Sequence, residues 1–261
     1  KLPIPPDPMV DRSWFCGCRV ADCPQGSMAA DALRWNAGTD VALISSGRIN
    51  WILPSVNVTL GELLYLSPEL QEVCVIMLTG QQLFEAFSHS ISQLGSAAVD
   101  GFFDGRFLQV SATIWLDWQL ENGVPAVRQL MIGSRPETPG GLSRNFVHCN
   151  PHGTYSVALP RFLLHGGNGH TVFMAAYEAS QIPTLPTYAV DVGLGRTVFE
   201  AISSYVEDAA ALVGTLPEPN AGRVHVSNDS STAELAILCE ANRTVFERVD
   251  CKGVTRMVML I

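Results

Sequence analysis

Seven cysteines, six histidines and one glycine-rich run are the residues here whose types and spacing hold chemistry: metal binding, disulfide formation or the cradling of a phosphate. Spacing separates these possibilities. Cys16, Cys18 and Cys23 cluster near the start, but no second pair of ligands follows at a zinc-ligand spacing, so no structural metal is expected. Disulfides fit better. Cys18 with Cys23 and Cys239 with Cys251 would close short loops in an oxidising compartment. Asn57, Asn228 and Asn242 each open an Asn-x-Ser/Thr glycosylation pattern and point the same way, towards the secretory pathway, outside the cell or at its surface. Reduced, buried cysteines in a cytosolic protein remain the alternative. The run Gly166, Gly167 and Gly169, between His165 and His170, has the look of a phosphate cradle. It lacks the Lys-Ser/Thr of such loops and a helix signal after it, so its glycines read instead as positions needing positive φ.

Bulk composition narrows the classes further. The 261 residues are 47% hydrophobic and 16% charged, enough to bury a large core. A formal charge of -9 repels phosphate backbones, so nucleic acid is not an expected partner. No run approaches the length of about 20 apolar residues that a bilayer span needs, since Pro160, Arg161, Gly166 and Gly167 interrupt the best one. No transmembrane segment is expected. The start, KLPIPPDP, has no Met and no signal-peptide pattern, and reads as a trimmed end; its prolines favour an extended linker over residues 1–13.

The elements that must position these residues follow from periodicity. Helices are expected over 27–35, over 59–65 with a capping box from Thr59 to Glu62, over 81–94 with Leu83, Phe84, Phe87, Ile91 and Leu94 on one face, and over 197–213. Strands are expected at 41–44, 72–78, within 107–120, and at 155–159, with a turn of helix at 161–164. Residues 133–153 read as a long loop and 165–170 as a glycine loop. Helices and strands without regular βαβ alternation predict an α+β fold, a mixed β-sheet with packed helices.

Several segments, in one order, carry a resemblance. CRVADCPQGSMAADAL supplies Cys18, Arg19, Asp22, Cys23, Gly26, Asp31 and Ala32; LTGQQLFEAFSHS spans 78–90; GRFLQVSA begins at Gly105; YSVALPRFLLHGGNGHTVF spans 155–173; and GRV lies at 222–224. Together they resemble the C-terminal, substrate-binding domain of the 5'-nucleotidase family over about residues 14–226. Residues 227–261 lie beyond it, an added extension in which 233–239 and 256–261 read as strands of a hairpin that packs on this domain or on a partner.

The resemblance implies a domain that grips a nucleoside, while two divalent metals and the hydrolytic chemistry belong to a separate N-terminal metallophosphatase domain. No cofactor is expected in this segment: nothing reads as Asp-x-His or Gly-Asn-His-Asp, so the segment alone is not expected to hydrolyse phosphate esters. Carried over residue by residue, the family's first arginine falls on Arg19. Its Asn-Gly-Gly-Gly-Ile-Arg loop runs here from Ser45 to Asn50, so Ser45 replaces the Asn, Asn50 replaces the Arg, and a planar donor fork is lost. The first base-stacking Phe falls at Glu69 or Leu70. The second falls at His170, after Asn168 in the family's Gly-Gly-Asp-Gly-Phe turn. Two lost rings would remove about 1–3 kcal/mol of stacking each.

Each surviving residue has two readings. Arg19 holds an anion, or pairs with Asp22 or Asp31; His170 stacks on a base, or is a loop residue; Arg48 reaches the pocket from a shifted loop, or does not; Trp35 and Trp51 pack in the core or against loops, or supply a replacement stack. Three functions follow: a degenerate, non-catalytic module for binding or assembly with other protein chains or domains; the nucleoside-binding half of an active nucleotidase, with nucleoside or nucleotide as a weak ligand; and a small-ligand sensor of altered specificity built on Arg19, Arg48, Glu69 and His170.

Overall fold

The computed structural model describes residues 17–49, 59–66, 70–94, 105–180, 195–213 and 223–227. Outside them lie Asn50, Trp51, Glu69, the sequon residues Asn57, Asn228 and Asn242, Cys16, and the residues of the expected linker, Cys239–Cys251 pair and C-terminal hairpin.

The described residues begin with a four-residue helix, α1 (Gly17–Val20), and a longer one, α2 (Pro24–Ala37). The second starts three residues earlier than periodicity predicts because Cys23 caps it, its Sγ accepting from Gly26 N, with Pro24 in the first turn. Strand β1 (Val41–Ser45) runs into a 3-10 turn at Ser46–Arg48. Helix α3 (Leu60–Leu66) has the expected cap: Thr59 N donates to Glu62 Oε2 at 2.6 Å and Glu62 N returns to Thr59 Oγ1 at 3.3 Å. Strand β2 (Val73–Thr79) leads into α4 (Gly80–Ile91), whose Leu83, Phe87 and Ile91 are buried; Phe84, expected on that face, is 39% exposed.

Next come β3 (Leu108–Val110), β4 (Ile114–Glu121) and β5 (Val124–Ile132), the last two a hairpin turned at Asn122 (φ 55°) and Gly123 (φ 78°). The expected loop at 133–153 includes a short strand, β6 (Val147–His148). Strand β7 (Thr154–Pro160), α5 (Arg161–Leu164), α6 (Thr171–Ser180), α7 (Val198–Val213) and β8 (Val224–Val226) complete the order. Helix α6 follows the glycine loop directly, where no helix signal is legible.

The α+β fold carries its strands in two mixed sheets, β2-β7-β1-β3 and β6-β5-β4-β8. In the first, β1 lies parallel to β7 and antiparallel to β3. Both faces of this sheet are covered, as the unbroken apolar run of β1 requires. Val41 and Leu43 join one core with α4, β4 and Phe173, while Ala42 and Ile44 join another with α2, α3 and α7. Period-two alternation thus sends one strand's side chains into two cores. No helix among the described residues is long and apolar enough to cross a membrane.

Candidate functional site

Near the ends of β1 and β7 two of the resemblance's pocket positions, Ser45 and Asn168, meet. Ser45 closes β1 and is wholly buried; its Oγ donates to Gly105 O at 2.7 Å, and Ser46 Oγ does the same at 3.0 Å. Asn168 Nδ2 donates to Ser45 Oγ at 2.5 Å and to Gly105 O at 3.0 Å. One backbone carbonyl therefore gathers the two segments that the family aims at its ligand. Gly105 must be glycine, because its φ is +82° and a Cβ there would lie 2.6 Å from Gly47 Cα.

The glycine loop is pinned as well. Gly166 (φ 78°) and Gly169 (φ 78°) have the positive φ expected of the run's glycines; Gly167 does not, and Asn168 (φ 54°) takes it instead. His89 Nε2 lies 2.9 Å from Asn168 O and His170 Nε2 lies 2.8 Å from Arg106 O, so each ring donates that proton to a carbonyl. His170 is 0% exposed, stacks on Phe173 at 5.4 Å and meets His89 edge-on at 4.6 Å. The sequence suggests a stacking or loop role for it; it is a core residue.

Arg48 turns its guanidinium onto the Phe162 ring, 3.6 Å from the centroid, and burial lowers its pKa. Phe162 in turn lies across Gly167, where a Cβ would meet the ring at 2.3 Å. Beside it runs a cleft of about 410 Å³ lined by Gln71, Arg161, Phe162, His165, Gly166 and Gly167. A second cleft of about 420 Å³, between α4 and α6, has Gln82, Glu85, His89 and Met174 in its walls.

The N-terminal hairpin is built by residues that site reasoning passed over. Cys18 and Cys23 are disulfide-bonded with Cα atoms 5.0 Å apart. Gln109, the Gln of GRFLQV, is wholly buried; it donates to Cys18 O at 2.7 Å and Ala21 O at 2.8 Å, and accepts from Cys23 N at 2.8 Å. A Cβ at Gly26 would lie 2.4 Å from Gln109 Cγ, which explains that glycine. Arg19 sits half-buried on α1. Asp31, weighed as its partner, instead holds Arg223: Arg223 NH2 donates to Asp31 Oδ2 at 2.7 Å, and Asp31 Oδ1 accepts from Ala112 N at 2.7 Å. Asp22 Oδ2 accepts from Arg223 N at 2.8 Å. The signal was in view, since GRV was part of the resemblance, but nothing in spacing pairs residues 192 positions apart. Trp35 packs in the core, its indole N–H donating to Asp208 Oδ2 at 2.8 Å.

Among the described residues no three His, Cys, Asp or Glu side chains stand together to hold an ion.

Residues 10–175 match the family model for the 5'-nucleotidase, C-terminal domain. Trifunctional nucleotide phosphoesterase protein YfkN of Bacillus subtilis (strain 168) is 31% identical over 168 residues, 63% of this chain and 11% of that protein. An apyrase of Tabanus yao is 26% identical over 166 residues, 59% of this chain and 28% of the apyrase. The chain thus matches only a minor part of each relative's length. Among solved structures, the 5'-nucleotidase precursor from Thermus thermophilus aligns with a TM-score of 0.64 and 23% identity, over 82% of this chain and 37% of that one. Haemophilus influenzae NAD nucleotidase aligns at 0.59 and 12%, over 82% and 37%. At these identities the likeness is one of fold.

Proposed function

The chain belongs to the 5'-nucleotidase C-terminal domain family, and from that premise we propose that it is a version whose nucleoside pocket has been turned to internal contacts. It works as a non-catalytic module for binding or assembly with other protein chains or domains. The observation that carries this reading is His170, at the family's second stacking position. It is wholly buried and hydrogen-bonded to Arg106 O, so no ring face is offered to a base. Ser45 and Asn168 support it, because their polar atoms are engaged with each other and with Gly105 O.

The Cys18–Cys23 disulfide supports residence in an oxidising compartment, extracellular or lumenal, where the sequons would be glycosylated. A second reading, the nucleoside-gripping half of a nucleotidase or a sensor of another small ligand, draws on the cleft beside Phe162. Thermal denaturation with millimolar adenosine, inosine or uridine separates the two. These uncharged ligands are expected to leave the midpoint unmoved, and a rise with adenosine that Arg19→Ala abolishes overturns the proposal.

A further inference from the structure

Arg34, in the last turn of α2, is 4% exposed, and among the described residues no hydrogen-bond acceptor or ion-pair partner meets its guanidinium. Burial lowers its pKa, against the opposing influence of Asp31 and Tyr205, with Arg135 and Arg223 adding repulsion. Those neighbours do not neutralise it. Both Asp31 oxygens are committed to Arg223, which also donates to Val110 O. Arg135 is committed to Asp40 Oδ1 and Gly38 O. Three guanidinium groups thus face two carboxylates, and the surplus cation is the most buried. A buried charge without a counter-charge is costly, and the weakly negative end of α2 offsets only part of that.

Tyr205 of α7, packed in the core that α7 shares with α2 and within electrostatic reach of Arg34, has a matching surplus. It is 2% exposed, and its hydroxyl oxygen accepts from Gly140 N at 2.6 Å, so the hydroxyl proton is directed elsewhere. No acceptor among the described residues meets that proton. Burial, with Asp31 adding, raises the phenol pKa, so the proton stays on. Two buried donors, one charged and one neutral, thus lie within electrostatic reach of each other, and neither has an acceptor among the described residues.

We propose that Arg34 and the Tyr205 hydroxyl form a site for a small oxyanion of the phosphate or sulfate class, beneath the loop that carries Gly140. An oxyanion accepts from both donors at once and supplies the missing negative charge in a charge-assisted bond. The site is separate from the family pocket. Arg34 precedes β1, near the Asp40 end, whereas Ser45 closes the opposite end of that strand.

The test compares thermal unfolding of the full chain in inorganic phosphate, sulfate and chloride at matched ionic strength. Wild type should show a saturable midpoint rise of several degrees with phosphate and sulfate but not chloride. Arg34→Met, which keeps length and removes charge, should unfold at a higher temperature than wild type without phosphate and should not respond to it. Arg19→Ala should respond as wild type does, which separates this site from the nucleoside reading. Tyr205→Phe should weaken phosphate binding about tenfold by calorimetry, the loss of one hydrogen bond to an anion. No saturable response in wild type, or an equal response in Arg34→Met, overturns the proposal. Should Arg34→Met not fold, calorimetry of wild type against Tyr205→Phe decides, and equal affinities overturn it.

Discussion

Two regions of this molecule come from the same set of family motifs and have fared differently. Around the N-terminal hairpin, the motif residues Gly26, Asp31, Gln109 and Arg223 form a closed set in which each residue explains another. Around the ends of β1 and β7, Ser45, Asn168 and His170 depart from the family pattern; Ser45 and Asn168 bond each other and Gly105 O, while His170 bonds Arg106 O. A motif can survive because it holds the scaffold, while the positions that face a ligand are free to change and be absorbed. The first region should therefore weigh more in the stability of the fold than the second.

The strongest challenge to that contrast is Asp31→Ala. It leaves Arg223, at 8% side-chain exposure, as a buried cation with its main partner gone, and should cost about 3–5 kcal/mol of unfolding free energy. Asp31→Ala combined with Arg223→Met should recover much of the loss, because the uncompensated charge then goes too. Denaturant unfolding followed by circular dichroism measures both; a loss under about 1 kcal/mol for the single variant would remove the anchor from its place in the comparison.

The same contrast explains what could be read before the structure. Thr59 and Glu62, Leu83 and Phe87, and the run 41–44 announced their elements because helix caps and periodic burial are local properties. Strand β5 did not, although Asn122-Gly123 is a strong hairpin signal; its exposed outward residues, Val124 and Arg128, blur the alternation. Helix α6 was hidden because Thr171–Ser180 buries only Phe173 fully, leaving a weak stripe. Of the pocket positions drawn from the resemblance, Ser45 and Asn168 meet at Gly105 O, while Asn50 and Glu69 lie outside the described residues. Such contacts were illegible, since those of His170 and the Asp31–Arg223 pair depend on segments far apart in the chain.

Asn168→Ala probes the second region and should cost less. It removes donations to Ser45 Oγ and Gly105 O from a half-buried side chain, and places a residue less tolerant of positive φ at 54°. About 1–3 kcal/mol is expected by the same denaturation measurement. Asn168→Gly, which keeps the backbone freedom, should recover part of it. A loss equal to that of Asp31→Ala would mean that the loops, too, are part of the anchor.

The smallest effect lies between the two regions, at Asp40, where the α2 loop meets β7. Burial raises this carboxyl's pKa, but hydrogen bonds from Arg135 and from the backbone and hydroxyl of Ser156 outweigh it, and the net shift is downward. A depressed folded-state pKa contributes stability that is present above the ordinary value of 3.8 and is lost as pH falls through the lower, folded value. The side chain is 36% exposed and solvent screens its pair with Arg135, so the contribution is modest. Asp40→Asn should leave the midpoint near pH 7 slightly lower and make the decline below about pH 4 shallower than in wild type. Parallel acid limbs for the two proteins would assign the acid sensitivity to other carboxylates.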